Sequence, residues 1–280
     1  MGLDLAFALG CTVQQLAPKK ASVSVLISVV VATYNRSQFL PLALQALYDQ
    51  SLDKNQFEVL LVDNASTDNT ASVCRAFQAE HPAMQLHYLQ ENQQGASFAR
   101  NTGAAQAKGK IICCLDDDAV AAPDYLFQAV AFHFSHPKIA GWGGKIIPRY
   151  LPAAPHWMSP YVASMVGHFD HGPQTKEFAP NRYPLESNMF VLKSFYDDLK
   201  GFNTALPGVQ GSLRIGGEGK DFFLRLKARG EKIFYTPQMV VEHIVEVSKL
   251  TPAYFYGVAS GYGRGEKVRT LQISRWAYPL

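Results

Sequence analysis

Hydrophobic and polar positions in the first half of the chain alternate between two periods. Continuous apolar runs predict strands buried on both faces, at residues 25–32, 58–63 and 111–115, with a shorter strand at 85–89. Between these runs, apolar residues recur at helical spacing and predict helices, at 39–47, 70–80, 96–107 and 125–135. This alternation indicates an α/β fold of βαβ units, with a mostly parallel, Rossmann-like sheet and right-handed crossovers.

The pattern changes after about Pro148. Residues 149–183 are rich in proline and aromatic side chains and show no sustained period, which predicts an irregular excursion beside a site or a lid. Further along we expect a strand, a glycine-rich loop, a short helix and two late strands, at 186–192, 206–219, 222–229, 233–235 and 239–241.

Composition narrows the classes of protein. The chain has 280 residues, of which 48% are apolar and 18% charged, as in globular proteins. Its 26 basic and 23 acidic residues give no bias towards nucleic acid, so we expect no nucleic-acid partner. Four cysteines without a CxxC motif fit a reducing, cytoplasmic location. The start of the chain lacks the basic segment of a signal peptide, and the apolar run at 23–32 is too short to span a bilayer.

Polar clusters follow the predicted strands at their carboxyl ends. They comprise residues 33–36, 63–68 and 116–118, and Arg100 lies on the helix that precedes the last of these strands. Ligands of open α/β sheets bind at this edge. The convergence of the clusters therefore predicts a binding site there.

Asp116, Asp117 and Asp118 are three adjacent carboxylates that repel one another unless a cation or solvent relieves them. Their position directly after a buried strand favours a site for Mg²⁺ or Mn²⁺, ions that take oxygen ligands and bridge to a diphosphate. The alternative is a solvated acidic turn that caps the next helix. The chain has neither GxGxxG nor a P-loop motif, so a metal is the better candidate for neutralising phosphate.

A second acidic cluster lies near the predicted helix at 222–229. Glu218 or Asp221 is a candidate general base, and N-terminal capping of the helix is the alternative. His243 ends an apolar strand, where it is either a further metal ligand or a structural residue.

Taken together, the clusters resemble those of the family 2 glycosyltransferases, which have the GT-A fold. The resemblance covers about residues 24–245 and rests on five segments in family order: Val29–Arg36, Leu61–Asp68, Gly95–Gly103, Leu115–Asp118, and Gly217–Glu218 with Asp221. It implies an inverting transferase that uses a nucleoside-diphosphate sugar and Mg²⁺ or Mn²⁺.

The resemblance also implies roles for individual residues. Donor contacts fall at seven positions: Thr33, Asn35, Asp63, Asn64, Arg100, Asp116 and Asp117. Metal contacts fall on Asp118, Asp116 and His243. Glu218 matches the first position of the family's Glu-Asp pair, but Gly219 stands at the second, which is often the base. The base is then expected to be Glu218 or Asp221.

The resemblance divides the chain into three parts: an N-terminal extension at 1–22, a single GT-A domain at 23–250, and a C-terminal helical extension at 251–280. The domain comprises a nucleotide-binding half, 23–120, and an acceptor-side half, 121–250. The implied acceptor is a glycan or a lipid-linked hydroxyl, as in polysaccharide or glycolipid synthesis. Peripheral contact of the C-terminal segment with the inner membrane face is expected, and a core-packed helix is the alternative.

Two other functions remain open. One is a catalytically impaired nucleotide-sugar-binding protein on the same fold, since Gly219 replaces an acid. The other is a nucleotidyltransferase, although the glycine-rich basic loop expected after its first strand is missing from residues 33–36.

Overall fold

The computed structural model describes residues 24–211 and 213–274. The predicted N-terminal extension at 1–22 lies outside the described residues, as does the end of the C-terminal segment from 275.

A nine-stranded mixed sheet lies at the centre of the described chain. Its strands are β1 (Ile27–Thr33), β2 (Phe57–Asp63), β3 (Leu86–Gln90), β4 (Ile111–Asp116), β5 (Ala119–Ala121), β6 (Gly141–Leu151), β7 (Lys176–Glu177), β8 (Met189–Leu192) and, after a hairpin, β11 (Ile233–Glu246). The hairpin strands are β9 (Gly208–Gln210) and β10 (Leu213–Ile215). The helices are α1 (Leu40–Tyr48), α2 (Thr70–Glu80), α3 (Ala96–Gln106), α4 (Tyr125–Ser135), α5 (Pro160–Ala163), α6 (Lys193–Asp198), α7 (Glu218–Ala228) and α8 (Pro252–Ile273).

The strand order confirms the predicted α/β class. The sheet runs β3-β2-β1-β4-β8-β6-β11-β5, and β7 pairs with β11. The first four strands in this order are parallel, whereas β8 is antiparallel to both of its neighbours. All polar clusters predicted at strand ends therefore reach the same edge of the parallel half.

Helices cover both faces of the sheet, because the central strands are apolar on both sides. On one face, Leu44 of α1, Phe77 of α2 and Leu126 of α4 pack into one core cluster. On the other face, Ala99 of α3 and Phe222 of α7 belong to a second cluster. Each layer of helices thus buries a continuous apolar surface against the sheet. This burial is the main contribution to the stability of the fold.

Several boundaries in the second half differ from the predictions. Residues 186–188 form a 3₁₀ turn, and the strand begins only at Met189. The predicted loop at 206–219 contains the β9–β10 hairpin, and α7 begins at Glu218. The two late strands are one, β11, whose pairing with β6 is shifted between Tyr235 and Val240. The shift lies at the polar residues 236–238, which interrupt the apolar pattern and make the strand look like two.

Strand β6 is absent from the predictions because its start is rich in glycine. A Cβ at Gly144 would lie 1.9 Å from the carbonyl oxygen of Met239, on the irregular part of β11. A Cβ at Gly143 would lie 2.4 Å from Cβ of Pro184. These glycines allow the backbone of β6 to approach neighbouring segments closely. The local hydrophobic pattern does not reveal such contacts.

Helix α8 packs against the β9–β10 hairpin through its glycines. A Cβ at Gly265 would lie 1.7 Å from the carbonyl oxygen of Gly216, and one at Gly261 would lie 2.5 Å from Cγ of Arg214. Small residues therefore let the helix lie directly on the hairpin.

Candidate active site

A cavity of about 310 Å³ opens at the carboxyl ends of the parallel strands. Residues from distant parts of the chain line it, and six of those predicted from the sequence are among them: Thr33, Asn64, Arg100, Asp116, Glu218 and His243. The other predicted residues, Asn35, Asp63, Asp117, Asp118 and Asp221, do not line it. The cavity therefore brings together the two acidic clusters that are about 100 positions apart in the sequence.

The loops after β1 and β2 are held by side chains of the predicted donor residues. Asn35 adopts a left-handed conformation, with φ of 52°, and its Oδ1 accepts hydrogen bonds from the backbone of Thr67 and Asp68. Asp63 accepts from Ser66 N at 2.8 Å and from Tyr88 Oη at 2.5 Å. Both side chains thus shape the loops of the strand ends.

Asn64 fixes the approach to α3. Its Nδ2 donates to the carbonyl oxygens of Glu91 and Gln93, at 3.0 and 2.8 Å, and its Oδ1 accepts from Gly95 N at 2.6 Å. These three hydrogen bonds tie Asn64 to the segment that leads into α3. That helix in turn carries Arg100 into the cavity.

The three aspartates at the end of β4 have different surroundings. Asp116 faces the cavity, and its Oδ1 lies 3.1 Å from Nη2 of Arg100. Asp117 is buried, and burial followed by the charge of Asp118 raises the pKa of Asp117 to about 7. The triplet is therefore not a solvated acidic turn.

Asp118 is buried among three basic side chains. Its Oδ2 lies 2.9 Å from Nη1 of Arg36 and 2.5 Å from Nζ of Lys249, and its Oδ1 lies 3.2 Å from Nε2 of His243. Burial opposes ionisation, but His243, Lys249 and Arg36 together hold the pKa of Asp118 well below its usual range.

His243 is oriented in the manner of a metal ligand. Its Nδ1 lies 2.9 Å from the carbonyl oxygen of Val166, which can only accept, so Nδ1 carries the proton. The remaining nitrogen, Nε2, faces Oδ1 of Asp118, and a positive charge, a proton or a metal ion, is needed between two such acceptors. Ligand atoms of Asp116, Asp118 and His243 all lie within 4.8 Å of one another. This set of two carboxylates and an imidazole fits Mn²⁺ or Mg²⁺.

Arg100 joins the two acidic clusters. It is buried, with Nη2 at 3.1 Å from Asp116 and Nη1 at 3.2 Å from Oε1 of Glu218. Burial alone would lower the pKa of Arg100, but the carboxylates of Asp116 and Glu218 outweigh it and raise the pKa. The guanidinium is thus a fixed positive charge in the cavity wall.

The two candidates for the base lie in different surroundings. Glu218 lines the cavity, whereas Asp221 accepts a hydrogen bond from Nε of Arg225 at 2.7 Å on the same helix. Arg225 also donates to the carbonyl oxygens of Leu199 and Gly201. Asp221 is therefore placed to hold α7 against the α6 region.

Several residues at the site carry no local sequence signal. Lys249 reaches Asp118 from 131 positions away, and Arg214 and Tyr262 line the cavity from the hairpin and from α8. Glu186 also lines the cavity, and burial followed by the charge of Glu218 raises the pKa of Glu186 to about 7. Its only sequence signal is one acid at the edge of an apolar segment.

The sequence model of "Glycosyl transferase family 2" matches residues 28–189. That match spans more than half of the chain, and the chain belongs to this family.

Curated relatives agree with the family. Glycosyltransferase AglE of Haloferax volcanii is 33% identical over 105 residues, which are 38% of this chain and 34% of that protein. The glucosyl-dolichyl phosphate glucuronosyltransferase of the same organism is 24% identical over 221 residues, 78% of this chain and 68% of that protein. The matched segments cover only 22% to 49% of the length of AglE, of YfnE from Bacillus subtilis and of TarS from Staphylococcus aureus.

Solved structures of two glycosyltransferases share the fold and confirm the GT-A prediction. The mannosyltransferase PcManGT of Pyrobaculum calidifontis, in complex with GDP-Man and Mn²⁺, has a TM-score of 0.66 at 20% identity, over 91% of this chain and 65% of that chain. A TarS structure from Staphylococcus aureus in complex with UDP-GlcNAc has a TM-score of 0.61 at 19% identity, over 89% of this chain and 66% of that chain. Among the helices that the structure describes, none has the length and apolar character needed to cross a membrane.

Proposed function

We propose that this protein transfers a sugar from a nucleoside-diphosphate donor to a hydroxyl acceptor, with inversion at the anomeric carbon and with a divalent cation. The observation that carries the proposal is that one cavity is lined both by the candidate metal ligands Asp116 and His243 and by the carboxylate of Glu218. A metal-and-diphosphate side and an acceptor side are the two parts that such a transfer requires.

On the donor side, we assign the nucleoside pocket to the ends of β1 and β2, where Thr33 and Asn64 line the cavity and Asn35 and Asp63 hold the loops that frame it. Asp116 or Asp117 is assigned to the ribose, and Arg100 to the nucleotide. Asp118, Asp116 and His243 would hold Mn²⁺ or Mg²⁺. When bound, that ion neutralises charge that develops on the departing diphosphate. The complexes of PcManGT with GDP-Man and Mn²⁺, and of TarS with UDP-GlcNAc, support this assignment through the shared fold.

On the acceptor side, we assign binding and positioning of the hydroxyl to the acidic cluster at the start of α7, where the sequence predicts the base. Glu218 faces the cavity there, whereas Asp221 is engaged with Arg225. Inversion requires the acceptor to attack from the face of the sugar opposite the diphosphate. Arg100 lies between Asp116 and Glu218 and so separates the two sides.

We propose a glycan or a lipid-linked glycan as the acceptor, in polysaccharide or glycolipid synthesis. The side chains of Trp157, Tyr161 and Tyr256 are 51%, 91% and 76% exposed. Trp157 packs edge to face on Phe255 of α8, with ring centroids 5.6 Å apart. Exposed aromatic rings suit stacking on sugars or contact with a membrane interface, so we propose peripheral membrane contact in the cytoplasm at this surface. Sedimentation with anionic vesicles, compared between the protein and a Tyr161→Ser and Tyr256→Ser variant, measures that contact.

A donor screen tests the function. Purified protein is incubated with UDP-glucose, UDP-GlcNAc and GDP-mannose, with Mn²⁺ or with EDTA, and nucleotide release is measured. We expect release from at least one donor, and its loss in EDTA. Binding of a donor without any release would instead support the impaired sugar-binding protein, and release of pyrophosphate from a nucleoside triphosphate and a sugar phosphate would support the nucleotidyltransferase.

A further inference from the structure

Glu186 lies in the 3₁₀ turn that leads into β8 and lines the same cavity as Glu218. Its Oε1 accepts a hydrogen bond from the backbone nitrogen of Gly219, at 2.6 Å. Gly219 is the second residue of α7, so its N–H is among those that have no partner within the helix. Glu186 therefore supplies that partner and is held at the N-terminus of α7.

The space beside Gly219 is filled by this carboxylate. A Cβ at Gly219 would lie 2.2 Å from Oε1 of Glu186 and 2.5 Å from its Cδ. Gly219 is helical and does not need glycine for its own backbone conformation. Glycine is a poorer helix former than alanine, and here its missing side chain makes room for Glu186. A carboxylate therefore lies beside position 219 of α7, but it belongs to Glu186, in the 3₁₀ turn that precedes β8.

The charges around Glu186 distinguish it from Glu218. Nη1 of Arg100 lies 3.2 Å from Oε1 of Glu218 and forms an ion pair with it. Arg100 forms its ion pairs with Asp116 and Glu218, whereas Glu186 accepts a hydrogen bond from the backbone nitrogen of Gly219. The titratable groups that face Glu186 are Tyr183 in its own segment and, from α3, β4, α7 and α8, Arg100, Cys114, Asp116, Glu218 and Tyr262. Burial and the charge of Glu218 raise the pKa of Glu186 to about 7, the range in which a carboxylate can take up a proton near neutral pH.

We propose that Glu186 is the general base of the transfer. This inference rests on the function proposed above. The acceptor oxygen forms its bond to the anomeric carbon while its proton moves to Oε2 of Glu186. The bond between the anomeric carbon and the diphosphate oxygen breaks, and the diphosphate leaves with the electron pair. Oε1 stays bonded to Gly219 N–H, and Glu218, paired with Arg100, positions the acceptor.

The first test compares Glu186→Gln with Glu80→Gln, a control at an exposed position on α2. Nucleotide release is measured with whichever donor of the panel the wild-type protein consumes. We expect kcat to fall about 10²- to 10⁴-fold in Glu186→Gln, with little change in the donor KM and none in the control. In the wild-type protein the rate should rise with pH through about 7, where Glu186 loses its proton. That rise should vanish in Glu186→Gln.

The second test uses the shared space. Gly219→Asp alone should reduce activity, because its side chain overlaps Glu186. In a Glu186→Ala background that space is empty, so adding Gly219→Asp should raise the rate about tenfold or more, as expected for a restored base. Adding Gly219→Asn to the same background should not. Rescue by the acid alone separates proton transfer from a purely structural role of Glu186.

The outcomes are distinct. A wild-type protein that consumes no donor overturns the proposed function and this inference with it. An active wild-type protein with an equally active, pH-responsive Glu186→Gln variant overturns only this inference. If Glu186→Gln does not fold, the comparison of Asp with Asn at 219 decides, and equal rates for the two would refute the proposal.

Discussion

Replacing Asp118 with asparagine tests how the acidic triplet is built into the fold. The Asp118 side chain is 3% exposed and contacts Arg36 at 2.9 Å and Lys249 at 2.5 Å. Asparagine keeps the shape of the side chain and removes its charge. The ammonium of Lys249, whose side chain is only 10% exposed, is then left without its carboxylate.

The expected cost follows from these exposures. Removing one partner of a buried ion pair costs about 3–5 kcal/mol, because the remaining charge is desolvated and unpaired. The Arg36 side chain is 23% exposed and recovers part of its hydration, which favours the lower end. We expect a loss of about 3 kcal/mol in the free energy of unfolding. For a chain of this size, that corresponds to a fall in Tm of roughly 6–12 °C.

Urea unfolding of the wild-type, Asp118→Asn and Asp118→Asn/Lys249→Met proteins measures this, with EDTA present so that no bound metal adds to stability. The double variant removes the orphaned ammonium and should recover part of the loss. Asp116→Asn, whose side chain is 33% exposed, serves as a comparison and should cost less. A loss below about 0.5 kcal/mol in Asp118→Asn, or a further loss on adding Lys249→Met, would refute the reasoning.

The contribution of ionised Asp118 to the free energy of unfolding depends on pH. The folded-state pKa of Asp118 is lowered, so its ionisation stabilises the fold above the unfolded-state pKa, near 3.9. That stabilisation is lost as the pH falls below this value towards the lower folded-state pKa. The difference between the wild-type and Asp118→Asn proteins should therefore be full at neutral pH and shrink as the pH falls below about 4.

Three further changes test other parts of the structure. Gly144→Ala places a methyl group against the carbonyl oxygen of Met239 and should lower stability by about 1–3 kcal/mol in urea unfolding; wild-type stability would show that β11 moves aside. Asn188→Ala leaves the carbonyl oxygens that its Nδ2 reaches, among them that of Met239, without their donor, and should cost about 1–3 kcal/mol; an unchanged midpoint would contradict this. Glu218→Gln should lower the rate of nucleotide release more than Asp221→Asn does, and a larger loss in Asp221→Asn would move the acceptor site to that residue.

The first half of the fold follows from local pattern. Helices α2 and α4 begin and end where helical spacing places them, at 70–80 and 125–135, and β1 and β2 differ from their predictions by one or two residues. The reason is that buried parallel strands and amphipathic helices alternate there with clear periods. The edge of the sheet at which the polar clusters meet follows from the same alternation.

The second half depends on contacts that local pattern does not contain. Strand β6 begins with glycines that are required by Met239 and Pro184, residues far away in the sequence. Strand β11 reads as two strands because its pairing with β6 is irregular after Tyr235. At the site, Lys249 and Glu186 have no motif, since only the folded chain brings them to Asp118 and Gly219.

The cavity wall formed by the hairpin and α8 has a consequence for how such proteins diversify. Arg214 and Tyr262 enter the cavity from elements that add no strand to the central sheet. The hairpin and α8 approach closely at Gly261 and Gly265, and the Arg214 guanidinium also lies over the ring of Tyr254. Replacing the hairpin and α8 together by another matched pair would change which molecules fit the cavity, while the ends of β1, β2 and β4 would be unchanged. Exchanging one without the other would break the fit at Gly261 and Gly265, so the two are expected to be inherited together.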